Sequence, residues 1–342
     1  MRVLGMTYDE VVEHLARLGQ PSYRASQVFA WLHERNCQSF EEMTVLPLSL
    51  RSQLATELGS DRCTVTESVP DGDATKLLLG LADGQTVECV AMGRPWGGAA
   101  CVSSQIGCPV GCEFCASGQQ GLVRGLSAGE IVAQVAELRR LDEPVGHLVF
   151  MGMGEPLLNL DEVVRSVRVL ADKRGLGLPE RSMTISTIGI LPGLNELANS
   201  DLRVRLTLSL HATTDALRSR LIPRWCAPLE EVVPAAVAYS RRARRRLSIA
   251  YVLMDGVNDM LEDARRLARI ARQARAHVNI IPYNEVPGVR CRRPSRVRIA
   301  GFLRALEETG VPVSMRVSVG RQANAACGQL RARASADQAS TG

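Results

Sequence analysis

The chain has 342 residues, of which 46% are hydrophobic and 23% charged, and a net charge of +5, so it can bury a sizeable core. No apolar run is long enough to span a membrane, and the N-terminus lacks the apolar segment of a signal peptide. We therefore expect a cytoplasmic protein with no membrane segment, in which the ten cysteines do not form a disulfide framework.

Helical and then strand-like patterns occupy the first hundred residues. Apolar residues recur at helical spacing in three segments, over residues 8–18, 24–35 and 47–58. Three strand-like runs separated by turn sequences follow, over residues 64–68, 76–81 and 85–92. We assign residues 1–60 to a helical module and residues 61–98 to a β-hairpin and linker region.

Short apolar runs alternate with amphipathic segments from residue 99 to residue 330. Repeated β-then-α units predict a parallel sheet flanked by helices. About six units are too few for a closed eight-fold barrel, so the predicted fold class is α/β with a partial, open barrel. In such folds the chemistry collects at the carboxyl ends of the strands. We expect residues 331–342 to be a disordered tail.

Three cysteines, Cys108, Cys112 and Cys115, lie close together in the run Gly107-Cys-Pro-Val-Gly-Cys-Glu-Phe-Cys115. A closed structural zinc site requires four ligands, whereas three thiolates suit a [4Fe–4S] cluster with one iron open to a small molecule. The alternative is a zinc knuckle completed by a distant His or Cys. The C-x3-C-x2-C spacing resembles that of radical S-adenosylmethionine (SAM) enzymes, in which the open iron binds SAM.

Small polar residues follow four of the predicted strands. They are Gly154 and Glu155, Ser186, the run Ser209-Leu-His211, and Asn284. Hydroxyl and amide groups beside open backbone suit a cofactor that carries a nucleoside. Next to a three-cysteine loop, these residues favour SAM, although each residue alone is a weak signal.

Arginines are concentrated between Arg241 and Arg304, where 16 arginines accompany five acidic residues. Two clusters dominate, over residues 241–246 and 290–298. Such a basic stripe suits a polyphosphate partner. The alternative is that arginine, in a chain with two lysines, serves only as the general cation of solvated helix faces.

Several motifs resemble the RlmN/Cfr family of radical SAM RNA methyltransferases. They are Cys101-Val-Ser-Ser-Gln-Ile-Gly-Cys108, Gly152-Met-Gly-Glu-Pro-Leu-Leu-Asn159, Ser209-Leu-His-Ala212, Gly256-Val-Asn-Asp259 and Ala325-Ala-Cys-Gly-Gln-Leu330. The resemblance implies methylation of an adenine ring carbon, C2, of 23S ribosomal RNA, with transfer RNA as a second candidate substrate. It also implies two SAM molecules per turnover, a flavodoxin or ferredoxin as electron donor, and an N-terminal module that binds RNA. We expect a monomer.

The resemblance also assigns roles to residues. Cys327 would carry the methyl group as S-methylcysteine, Glu88 would remove the ring proton, and Cys101 would release the product by forming a transient disulfide with Cys327. The expected SAM contacts are Gly154, Glu155, Ser186, Ser209, Leu210, His211 and Asn284.

Two segments depart from the family pattern. The stretch Gly320-Arg-Gln-Ala-Asn-Ala-Ala-Cys327 lacks the acidic residues that usually precede the methyl-carrying cysteine, and Pro223-Arg-Trp-Cys-Ala-Pro228 is shortened. Three alternatives therefore stay open: Cfr-type methylation at C8, a radical SAM enzyme with a non-RNA substrate, and a non-catalytic RNA-binding protein whose cluster is structural.

Overall fold

A computed structural model describes residues 2–59, 62–93, 97–141, 145–315 and 330. The described residues form twelve strands: β1 (Thr64–Asp71), β2 (Ala74–Gly80), β3 (Thr86–Met92), β4 (Gly98–Val102), β5 (Gln105–Gly107), β6 (Leu122–Gly125), β7 (Val145–Phe150), β8 (Met183–Thr187), β9 (Arg205–Ser209), β10 (Ser248–Leu253), β11 (His277–Pro282) and β12 (Val313–Met315).

The same residues form eleven α-helices: α1 (Tyr8–Arg17), α2 (Tyr23–His33), α3 (Leu48–Glu57), α4 (Ala116–Gln119), α5 (Ala128–Leu138), α6 (Leu160–Ala171), α7 (Leu191–Asn199), α8 (Asp215–Leu221), α9 (Leu229–Arg242), α10 (Leu261–Ala274) and α11 (Arg296–Glu307). The longest, α9 and α10, have 14 residues each, and no helix of the described ranges has the length and apolarity needed to cross a bilayer.

One ten-stranded sheet organises the chain, in the order β1-β2-β3-β4-β7-β8-β9-β10-β11-β12. The first four strands pair antiparallel, and from β4 to β12 all neighbours are parallel. The seven parallel strands, with helices between most of them, form the α/β partial barrel predicted from the sequence. A separate hairpin, β5–β6, extends from the carboxyl end of β4.

The two faces of the parallel sheet differ in burial. Residues whose side chains face the helices are at most 1% exposed, and they include Val102, Phe150, Ile185, Leu208 and Ile280. Within the described ranges, residues on the opposite face, such as Thr184, Ser186 and Ser209, are more polar and mostly half-buried. This inner face is therefore the one that a ligand can reach, and it opens at the carboxyl ends of the strands.

The N-terminal helices pack on the outside of the barrel, against α5 and α6. The side-chain amide of Asn36 donates to the carbonyl of Ala136 at 2.8 Å, and Arg139 donates to the carbonyl of His33 at 2.6 Å. On α6, Arg165 donates to the carbonyl of Gly5 and pairs with Glu10. The predicted helices and strands of residues 8–92 are confirmed to within a few residues at each end.

Candidate active site

The cysteine loop is fixed by backbone hydrogen bonds at both ends. The N–H of Cys108 donates to the carbonyl of Gly121 at 2.9 Å, and the N–H of Glu113 donates to the carbonyl of Leu221 at 3.0 Å. Cys115 lies at the N-cap of α4. The loop therefore runs from β5 to α4 while touching the end of α8, which places it at the carboxyl edge of the sheet.

Gly107 allows this loop to close. Its φ is +78°, and a Cβ there would lie 1.8 Å from the carbonyl oxygen of Gly121. Any other residue would clash with backbone and adopt a left-handed conformation that costs roughly 1–2 kcal/mol. The chain thus enters the cysteine segment through a position that only glycine fits.

The three thiols lie in one largely buried environment, in which Cys108 and Cys112 are buried and Cys115 is half-buried. Burial raises the pKa of Cys108 to about 12, the negative charges of Cys115 and Glu155 add to the shift, and backbone hydrogen bonds from Val110 and Gly111 oppose it. Among the described residues, no three His, Cys, Asp or Glu side chains are arranged to hold a single metal ion. Three interacting thiols that also receive backbone hydrogen bonds fit the donor set of an iron–sulfur cluster.

His211 connects the cysteine loop to the end of β9. The ring of Phe114, next to Cys115, meets the His211 ring edge-on, with 4.9 Å between centroids. His211 has a φ of +59°, and its Nδ1 accepts the N–H of Val252 at 3.1 Å. Burial and the charge of Arg218 lower the His211 pKa to about 3, so the ring is neutral at physiological pH. It therefore retains one N–H, on Nε2, that can donate to a ligand.

The loop after β7 is tied to the strands beside it by Glu155. One carboxylate oxygen accepts the N–H of Leu157 and the other that of Ile188, each at 3.0 Å. Glu155 is 3% exposed, and burial raises its pKa to about 7. Gly154, at φ +102°, packs against Gln105, where a Cβ would lie 2.6 Å from that side chain. Glu155 thus holds backbone in place, and its predicted contact with SAM stays a prediction.

The register of the sheet brings four predicted residues to its inner face. Ser186 and Ser209 lie on adjacent strands with their hydroxyl oxygens 3.1 Å apart. Cys101 pairs with Val90 on β3, two residues from Glu88, so Glu88 and Cys101 share this face because side chains alternate along a strand. The predicted base and the predicted resolving cysteine are therefore neighbours.

Glu88 has a cationic partner that the sequence did not reveal. Its Oε2 lies 3.3 Å from the Nζ of Lys76, and their side chains are 3% and 11% exposed. Its backbone carbonyl accepts the hydroxyl of Ser103 at 2.6 Å, and the same hydroxyl accepts the N–H of Met153 at 2.8 Å. Ser103 thereby links the Glu88 strand to the loop after β7.

The other predicted SAM contacts are Leu210, which precedes His211, and Asn284. Leu210 is fully buried, and its backbone groups bond to Ala250 and Arg218. Asn284 follows β11, and its side-chain oxygen accepts from Arg293 at 3.2 Å. Cys327 lies outside the described residues, as does the tail predicted over residues 331–342.

A buried guanidinium organises the backbone beneath the site. Arg218 is 0% exposed and donates to the carbonyls of Leu210, Ile188 and Ala227. Sequence reasoning missed it because an arginine on a short helix is usually solvated. Asn258 lies in the motif Gly256-Val-Asn-Asp259, which gave it no role: it joins His211 to β10 through three hydrogen bonds of 2.7 Å.

The two arginine clusters lie at opposite ends of the sheet. Arg246 precedes β10, whereas the N–H of Asp255, just after β10, donates to the carbonyl of Arg292. A six-residue strand separates these ends by about 20 Å. Of the two clusters, only that of residues 290–298 adjoins the cysteine loop.

Two family models match the chain. One, described as "Radical SAM superfamily", matches residues 102–269, and another, described as "Ribosomal RNA large subunit methyltransferase N-terminal domain", matches residues 1–58. Together with the partial barrel and the cysteine loop, they define a radical SAM enzyme, a class that uses SAM and an iron–sulfur cluster.

Similarity to individual proteins extends over nearly the whole chain. A "probable dual-specificity RNA methyltransferase RlmN" of Symbiobacterium thermophilum is 44% identical over 96% of this chain and 91% of the relative. A protein of the same name from Moorella thermoacetica is 43% identical over 96% of both chains. A crystal structure of a radical SAM methyltransferase from Sphaerobacter thermophilus, 41% identical, superposes with a TM-score of 0.92 over 96% of this chain and 98% of that one. The chain belongs to the RlmN family.

Proposed function

We propose that this protein methylates C2 of an adenine in 23S ribosomal RNA, with transfer RNA as a second substrate. The observation that carries the proposal is the inner face of the sheet, where Glu88 on β3 and Cys101 on the adjacent β4 lie on the same face as the Ser186–Ser209 pair of β8 and β9. The relatives' name, dual-specificity RNA methyltransferase, supports an RNA substrate.

Cys108, Cys112 and Cys115 would hold a [4Fe–4S] cluster, and the N–H of His211 and the hydroxyls of Ser186 and Ser209 would contact SAM. When bound, the cluster and SAM supply one-electron chemistry that can functionalise a ring carbon that is not nucleophilic. A flavodoxin or ferredoxin would provide the electron. We propose that the protein acts in the cytoplasm as a monomer.

The chain's own residues would then complete the transfer. Cys327 would take a methyl group from a first SAM as S-methylcysteine, and a second SAM would be consumed in activating that group. Glu88 would accept the adenine ring proton at a carboxylate oxygen, since it lies on the accessible face. Cys101 would attack the sulfur of Cys327 and break the bond between that sulfur and the carbon that joins it to the adenine, which forms a disulfide and frees the methylated RNA.

The decisive experiment is mass mapping of 23S ribosomal RNA and transfer RNA from cells with and without the gene. We expect one adenosine that carries an added methyl group at C2 only when the protein is present, and its absence with a Cys327→Ala variant. Cys37→Ala, at a buried cysteine of the N-terminal module, is the control and should keep the modification. A methyl group at C8 would replace the C2 assignment by the Cfr-type reaction, and unmodified RNA would refute an RNA substrate.

A further inference from the structure

The loop between α8 and α9 presents an exposed tryptophan beside the site. Trp225 is 49% exposed and has a φ of +56°, a left-handed conformation that is costly for a bulky residue. The loop around Trp225 is stabilised by the buried Arg218, which donates to the carbonyl of Ala227 at 2.7 Å and to the sulfur of Cys226 at 3.2 Å. The indole is therefore presented to solvent by a fixed backbone.

A cleft of about 430 Å³ separates this loop from the start of α7. Trp225 and Pro223 form one wall, Leu191 and Pro192 form the other, and Ser219 contributes a hydroxyl. Its volume lies in the range of small-molecule sites. Because α7 follows β8 directly, the cleft opens next to the strand end that carries Ser186.

Two exposed arginines are direct sequence neighbours of residues that line the cleft. Arg220 and Arg224 are exposed on either side of Pro223, and Arg224 also donates to the carbonyl of Pro109 in the cysteine loop at 3.4 Å. Arg220 and Glu113 both act electrostatically on the thiol of Cys291, so the arginine-rich loop after β11 lies near Arg220 and the cysteine loop. An apolar slot with an aromatic wall and a cationic edge matches a nucleobase and its flanking phosphates.

We propose that this cleft binds an unpaired base of the RNA, adjacent to the target adenine, stacked on Trp225 with Arg220 and Arg224 on the neighbouring phosphates. The inference rests on the proposed RNA methylation and adds a second recognition point to it. Through this contact, the shortened segment Pro223-Arg-Trp-Cys-Ala-Pro228 favours RNA in which the base next to the target is unpaired.

Binding of short RNA probes by the full-length, cluster-loaded protein tests the stacking. The probes are a single-stranded oligoadenylate and an abasic oligonucleotide of equal length, followed by fluorescence anisotropy. Trp225→Ala should weaken oligoadenylate binding about 5- to 150-fold, as expected for the loss of one stacked base, and should leave binding of the abasic probe unchanged. Trp225→Phe keeps an aromatic ring and should retain most of the affinity.

The salt dependence tests the phosphate contacts separately. Arg220→Ala and Arg224→Ala should each reduce the slope of log K against log salt by about 0.7 for both probes. Arg269→Ala, at an exposed arginine on α10, is the matched control and should leave the slope unchanged. SAM binding measured on every variant checks that the site remains folded.

Three results would overturn the inference: equal binding of oligoadenylate by wild type and Trp225→Ala, equal losses for Trp225→Ala and Trp225→Phe, or a Trp225→Ala loss that also appears with the abasic probe. Such results in a wild-type protein that still methylates RNA would refute this cleft and leave the proposed function intact. A wild-type protein that modifies no RNA would instead refute the proposed function.

Discussion

Lys76 and Glu88 form a buried ion pair on the inner face of the sheet, with 3.3 Å between Nζ and Oε2. Lys76 is opposite Val90 and Glu88 is opposite Leu78, so the two side chains approach diagonally across β2 and β3. Lys76, one of the chain's two lysines, thus balances the charge of the Glu88 carboxylate, the proposed base, and fixes the orientation of that side chain.

Removing one partner of this pair should be costly. Lys76→Met leaves a buried carboxylate without its ammonium, and we expect the free energy of unfolding to fall by about 3–5 kcal/mol. Glu88→Gln alone should also destabilise, whereas the double variant should recover part of the loss. Urea denaturation of the four proteins gives the coupling energy. Additive effects of the two substitutions would show that the pair does not interact.

Gly107 and Gly121 offer a comparison of two left-handed glycines in contact. Gly107→Ala places a methyl group 1.8 Å from the carbonyl of Gly121, whereas Gly121→Ala, at φ +67°, meets nothing within 4 Å. We expect Gly107→Ala to lose most of its iron and acid-labile sulfide after anaerobic reconstitution. Gly121→Ala should keep them, with a modest loss of stability of about 1–2 kcal/mol. Equal iron contents in the two variants would mean that the cysteine loop tolerates a side chain at position 107.

Arg218 should not tolerate replacement by lysine. An ammonium cannot reach the carbonyls of Leu210, Ile188 and Ala227 together, because its donors radiate from one atom. We expect Arg218→Lys to lose about 2–4 kcal/mol of stability, since unsatisfied buried carbonyls cost about 1–3 kcal/mol each. SAM binding should weaken as the backbone around His211 relaxes. Arg220→Lys, at the neighbouring exposed arginine, is the control in thermal unfolding and equilibrium dialysis.

His33 should make stability depend on pH. It is 4% exposed, its Nε2 has no hydrogen-bond partner among the described residues, and burial with the charge of Arg62 lowers its pKa to about 3. The unfolded chain has the ordinary value of about 6.5, so between these values the unfolded state binds one more proton. The stability contributed by neutral His33 is complete above about pH 6.5 and falls by about 1.4 kcal/mol per unit as the pH drops toward 3.

The measurement is urea denaturation at pH 7.5 and pH 5.0. From pH 7.5 to pH 5.0, the free energy of unfolding of wild type should fall by about 2 kcal/mol because of His33. The His33→Phe variant, which keeps a ring beside Phe29, should show a smaller fall over the same interval. Parallel pH profiles for the two proteins would mean that His33 accepts a proton within the folded chain.

Periodicity predicted the alternating core because its strands and longer helices carry unbroken apolar patterns. It did not single out α7, α8, which has seven residues, or α11, whose apolar positions Ile299, Phe302 and Leu306 lie in an arginine-rich segment. The arginine cluster of residues 290–298 overlaps the start of α11. Short or highly charged helices obtain their stability from tertiary packing, which a local pattern does not record.

The same distinction applies to the candidate site, where the sequence identified some residues and not others. The motifs identified residues beside the cysteine loop, yet they did not include Lys76 and Arg218 and gave no role to Ser103, although these three residues hold the site in place. Lys76 meets Glu88 only through the register of two antiparallel strands, and a shift of one residue would turn Lys76 away. Such contacts depend on the whole fold, so no short segment of the sequence predicts them.

The continuous sheet also constrains how this architecture can be altered. β3 covers the edge of β4, and Glu88 reaches the barrel from an accessory strand. Exchanging residues 61–98 between relatives would transplant the proposed proton acceptor along with the linker, and deleting them would bare an aggregation-prone strand edge. Exchange of this region would therefore give folded chimaeras only where the incoming hairpin pairs with β4 in the same register as the hairpin that it replaces.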